Sequence, residues 1–150
     1  MKIPTSITFV IILAFVQAAP LAPKEPRLEA RASINDCGSS TFINQSSGGS
    51  PLVADCQVLV KNIAGGGTWT VPAVGRQHQL AQYGTCAFGI QGGQVLNIAY
   101  VGNQDIIYVI NSSIAKFKWK GKIGAKGTMS CQTPTKATGN TPMTWAIYHT

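Results

Sequence analysis

The sequence predicts an α+β fold, an antiparallel β-sheet with two α-helices packed on one face and two disulfides holding the assembly. Three observations predict it. Two segments repeat apolar residues at three- and four-residue steps, several short runs alternate between glycine-rich breaks, and all four cysteines fall after residue 31.

The N-terminus comes first because it bounds the folded part. Met1-Lys2 carries a positive charge, Ile7 to Val16 is an apolar run of ten residues, and Gln17-Ala18-Ala19 is small, which is the order of a secretory signal peptide. Crossing a bilayer as a helix takes about 20 apolar residues, so the run reads as a cleaved leader, residues 1–18, rather than an anchor. Cleavage is expected after Ala18, since a cut after Ala19 leaves Pro20 just past the scissile bond. Residues 19–31 place Pro20, Pro23 and Pro26 among Lys24, Glu25, Arg27 and Glu29 and bury too little to fold alone. A pro-peptide removed after Arg31 and an uncut tail both fit this segment. The remainder, residues 32–150, has the size of a single domain with a modest core.

Within that domain Lys and Arg number 8 against 3 Asp, and Glu is absent. Cys37, Cys56, Cys86 and Cys131 form an even set in an exported chain, which implies two disulfides. Arithmetic leaves three pairings open. Cys37–Cys131 with Cys56–Cys86 is preferred, because the first bond ties the two ends of the domain together. No CxxC occurs, so neither a zinc site nor any other cofactor is expected.

Ser50-Pro51 reads as a helix start, with serine as cap and proline at the first helical position. Leu52, Cys56, Leu59, Val60 and Ile63 then share one face, and Gly65-Gly66-Gly67 ends the helix, giving residues 51–64. A second helix is expected over 104–117, with Asn103 as cap, Asp105 at the positive end, and Ile106, Ile110, Ile114 and Phe117 as its stripe. Its β-branched residues suit a strand nearly as well. Strands are expected at Thr68 to Val71, Gln79 to Gln82, Thr85 to Ile90, Val95 to Val101, Lys126 to Cys131 and Met143 to His149. Trp69, Tyr83, Tyr100, Tyr108, Trp145 and Tyr148 are read as core and sheet packing in preference to a glycan platform.

Catalytic inventory is thin. His78, His149 and a lysine make a ribonuclease-like site conceivable, but two histidines far apart in sequence are more often unrelated. The most distinctive surface feature is Lys116, Lys118, Trp119, Lys120 and Lys122, followed by Lys126. Lysines beside aromatic rings suit an anionic membrane or glycan. The alternative is a solvated hairpin whose first lysines offset the negative end of the second helix while Phe117 and Trp119 point inward. Asn44 and Asn111 begin N-x-Ser sequons and are candidate glycosylation sites.

The strings Asp36-Cys37-Gly38, Ser50-Pro51-Leu52-Val53-Ala54-Asp55-Cys56, Gly67-Thr68-Trp69-Thr70-Val71, Tyr83-Gly84-Thr85-Cys86-Ala87-Phe88-Gly89 and Gly127-Thr128-Met129-Ser130-Cys131 resemble the necrosis-inducing effector domain of secreted fungal proteins. The resemblance spans about residues 34 to 132. It implies a fungal source, an extracellular, apoplastic location, two bridges among the four cysteines, a killer-toxin-like sandwich, and a role in virulence or host cell death. It supplies no catalytic residues. The expected function is therefore a secreted effector that binds a host or microbial surface component without catalysis. A killer-toxin-like antimicrobial and a small nuclease or hydrolase are the alternatives. A monomer with no nucleic-acid partner is expected.

Overall fold

The computed structural model describes residues 33–72, 75–92, 98–134 and 139–150, so the expected leader, the segment 19–31 and the start of the strand expected at Val95 lie outside it. The chain runs β1 (Cys37–Ser40), β2 (Ile43–Asn44), α1 (Val53–Ile63), β3 (Thr68–Pro72), β4 (His78–Tyr83), β5 (Cys86–Gly92), β6 (Ile98–Gly102), α2 (Asn103–Phe117), β7 (Ala125–Cys131) and β8 (Thr141–His149). The main sheet is antiparallel in the order β1-β7-β8-β5-β4, with β2 also on β7, while β3 and β6 make a separate antiparallel pair. The α+β class stands, but the expected strands are divided between two sheets.

Alternation assigns the faces. Met143, Trp145 and Ile147 of β8, Ala125 and Met129 of β7, and Phe88 and Ile90 of β5 are buried, whereas Lys126, Thr128 and Thr144 face water. Against the apolar face pack Cys56 and Leu59 of α1 and Ile106, Val109 and Ile110 of α2. Both bonds join the expected partners. Cys56–Cys86 fixes α1 to β5, and Cys37–Cys131 spans a directly opposed pair of β1 and β7.

Two expected caps are employed otherwise. Ser50 does not cap α1, which begins at Val53 with no side-chain cap. Its hydroxyl accepts the Ser47 N–H and donates to the Gln45 carbonyl. The cause is pairing with a neighbouring segment. Val53 N–H donates to the Gly121 carbonyl and Ile123 N–H to the Pro51 carbonyl, which keeps 51–52 extended. Asn103 is the first residue of α2, not its cap. Buried, it accepts the Ile34 N–H (2.9 Å) and donates to the Ile63 carbonyl (3.1 Å), linking the chain start to the end of α1.

Gly127 shows how closely the β1–β2 connection lies on β7. A Cβ there would collide with the Thr41 carbonyl and come within 2.7 Å of Trp145 Cζ2. Neither neighbour can swing away, one being backbone and the other a fully buried ring. Gly127→Ala is expected to destabilise by about 3 kcal/mol. A urea melt with a lowered midpoint and an unchanged slope would show this; an unmoved midpoint would contradict the packing described.

Candidate docking surface

Between α2 and β7 the chain makes a two-residue turn. Trp119 and Lys122 exchange both backbone hydrogen bonds at 2.9 Å. Lys120 (φ 47°) and Gly121 (φ 74°) between them both take the left-handed conformation of a type I′ turn. Glycine adopts it freely, whereas Lys120 is the sole non-glycine residue with positive φ among the described residues. On its other side Lys122 bridges to Leu52, so Trp119, Lys122 and Leu52 form a row across three short extended segments.

Trp119 and Leu52 are each 44% exposed. This corrects two expectations: Trp119 does not point inward, although Phe117 does pack against the core, and Leu52 lies outside the buried stripe of α1. Because the helix starts at Val53, Leu52 turns to the surface beside the tryptophan. Sequence reasoning missed it, the only signal being its place directly after Pro51.

One ammonium lies over the exposed indole, and two others are engaged elsewhere. Lys120 Nζ lies 4.7 Å from the Trp119 ring centroid, Lys116 Nζ lies 5.6 Å from that of Phe42, and Lys122 Nζ donates to the Gly48 carbonyl. Lys118 is exposed, and among the described residues no carboxylate pairs with any of the four. Lys126 stands apart, on the outer face of β7 opposite Ile43, where it lines a cleft of about 230 Å³ with Gln45, Tyr148 and His149. The hairpin and the adjoining Leu52 thus present two apolar side chains beside lysines that no carboxylate of the described residues neutralises.

The other candidates are placed as follows. His78 and His149 are not brought together. They sit on β4 and β8, either side of β5, opposite Ile90 and Cys86 respectively. Four strand residues and two strand spacings separate them, about 13 Å along the sheet and about 10 Å across it. Asn44 is exposed and its Oδ1 accepts the Ser46 N–H. Ser46 of that sequon is structural, donating its hydroxyl to the Phe117 carbonyl and accepting the Gly124 N–H. Asn111 is exposed in mid-α2. Of the aromatic residues read as packing, Trp145 is fully buried and Trp69 packs against the core, but Tyr83 (44%) and Tyr108 (54%) are exposed.

Two aspartates are structural anchors. Asp55 Oδ2 accepts both the Thr85 N–H (2.8 Å) and its hydroxyl (2.7 Å), and these bonds hold its carboxyl below the usual range. Burial pushes the Asp105 carboxyl up, against the opposing effect of backbone N–H donors from Asp36, Gly102 and Cys37.

Comparison with known proteins bears on this geometry. A family model, Hce2, described as "Pathogen effector; putative necrosis-inducing factor", matches residues 36–131. The chain is similar to two curated proteins of Penicillium expansum. It is 38% identical over 118 residues to one named probable chitinase LysM18, and 40% identical over 114 residues to one named secreted chitinase LysM12. Those alignments cover 77% and 73% of this chain but 8% and 7% of the relatives, so the chain spans less than a tenth of their length.

Proposed function

Because the chain belongs to the Hce2 family of pathogen effectors, we propose that it is exported and acts by binding, through the Lys116 to Lys122 hairpin, to an anionic lipid surface of a target cell. The observation that carries this is Trp119, 44% exposed beside Leu52, with the Lys120 ammonium over its ring and neighbouring lysines that have no acidic partner among the described residues. Charge supplies attraction at a distance, and the indole and leucine supply contact area at the headgroup level. The family match and the secreted relative support export, and the even set of cysteines in two bridges fits an oxidising space.

Lys118→Gln, Lys120→Gln and Lys122→Gln together test the reading. Each lysine near an anionic surface contributes about 1 kcal/mol, so the triple variant is expected to bind phosphatidylserine vesicles about 100-fold more weakly, with an unchanged thermal midpoint. Wild-type binding is expected to fall as salt is raised. Equal vesicle binding and equal cell response by the triple variant would reduce the cluster to a solvated face.

A second reading, antagonism toward other microbes, is favoured by the two relatives named as chitinases. Leaf infiltration beside growth assays on competing fungi separates host from microbial targets. Release of product from RNA or chitin oligomers by the pure chain would overturn action by binding alone.

A further inference from the structure

The geometry points to a second binding site, for a neutral oligosaccharide, in a cleft of about 410 Å³ between β1 and the first turns of α2. Its volume lies in the range of small-molecule sites. Asn35, Ser39, Ser40, Gln104, Asp105 and Tyr108 line it.

Asp105 carries the inference. It is only 5% exposed, and all three of its backbone donors, Asp36, Cys37 and Gly102, bond to Oδ2. Among the described residues Oδ1 has no hydrogen-bond partner, yet it is not one of their sealed, unsatisfied side-chain atoms. A buried carboxylate oxygen left open toward a cleft accepts a hydrogen bond from whatever enters, so the ligand must bring an O–H or N–H.

The remaining lining fixes the class. Gln104 engages Ser33 through its Oε1 and leaves its amide N–H groups open, while the side chains of Asn35, Ser39 and Ser40 have no partners within the described protein. Among the described residues no Lys, Arg or His lines the cleft, which argues against a phosphorylated or acidic ligand. Tyr108 adds an exposed ring held edge-on by Phe42 (6.2 Å, 69°), itself held by the buried Trp145 (5.4 Å, 67°). A supported ring beside amides and hydroxyls is complementary to a pyranose, which has an apolar face and a rim of hydroxyls. The site is separate from Lys118, Lys120 and Lys122: Asp105 and Lys118 lie at opposite ends of α2, about 20 Å apart along its axis, whereas Lys116 reaches the Phe42 ring behind Tyr108.

The test is calorimetric and NMR titration of the disulfide-bonded protein with hexamers of β-1,4-linked N-acetylglucosamine, glucose, xylose and mannose. At least one is expected to bind saturably with shifts confined to β1 and the start of α2. Tyr108→Ala is expected to weaken it at least about 10-fold, and Gln104→Ala about 3- to 10-fold, by loss of contact area and of one hydrogen bond. Both side chains are solvent-accessible, so these variants keep the fold. The hairpin variant Lys118→Gln, Lys120→Gln and Lys122→Gln is expected to bind the hexamer as wild type does. No saturable binding of any hexamer at millimolar concentration, or binding that survives Tyr108→Ala, or binding lost in the hairpin variant, overturns the assignment.

Discussion

Replacing Cys37 and Cys131 with serine is expected to leave the chain largely unfolded at physiological temperature. The bond closes a ring between residues 94 positions apart, which in the loop-entropy treatment is worth about 4 to 5 kcal/mol. A small domain has only about 5 to 15 kcal/mol in total. The loss reaches beyond entropy. β1 is four residues long and irregularly registered on β7, so without the bond little keeps it there. Its departure strips Asp105 of the Asp36 and Cys37 N–H donors and leaves a buried carboxylate short of partners. Cys56→Ser with Cys86→Ser opens a ring of separation 30, worth about 3 to 4 kcal/mol, and is expected to be the milder lesion. Near-UV circular dichroism and hydrodynamic radius read both. A Cys37/Cys131 variant as compact and as stable as the wild type would show that the bond is dispensable to the fold.

Trp145→Ala is expected to cost about 3 to 5 kcal/mol. The ring is fully buried at the centre of β8, paired with Ile90 on one side and Gly127 on the other, and its removal leaves a void that a sheet cannot close. Trp145→Phe is expected to cost much less than the alanine variant. The indole N–H has no partner among the described residues, so part of what tryptophan gains by burial is already offset by its desolvation. Urea midpoints for the two variants decide this; equal losses would show that the N–H is satisfied in solution. Either substitution also unseats Phe42 and, through it, the ring of Tyr108.

The two helices were legible because their stripes are long: Cys56 with Leu59, and Ile106 with Ile110, are buried as their spacing requires. The start of α1 was not. Ser50-Pro51 has the local chemistry of a cap, but pairing with Gly121 and Ile123, some seventy residues on, overrides it. β1 and β2 were invisible for a related reason. Cys37-Gly38-Ser39-Ser40 and Ile43-Asn44 have no alternation of their own and are strands only because β7 offers an edge and a sulfur. The split into two sheets likewise depends on β3 meeting β6 across 26 residues, a pairing with no local signature.

At the candidate site the lysine run could be read, but the exposure of Trp119 could not. Two-residue alternation from Phe117 would put both rings on one side, but Phe117 is the last residue of α2 and the backbone leaves the helix at Lys118 (φ −52°, ψ 126°), so the alternation does not carry across. Tyr108 was legible in principle. It lies two residues from both Ile106 and Ile110, about 200° around the helix, and therefore opposite the buried stripe.

The order β1-β7-β8-β5-β4 also governs the sequence of assembly. The strand at the middle of the main sheet is the last of its strands in chain order, and β5 and β7 have no mutual ladder until it arrives between them. Without residues 141–149 the chain therefore carries half-finished apolar faces and cysteines awaiting their partners' final positions, so the main sheet closes only when its most C-terminal strand inserts.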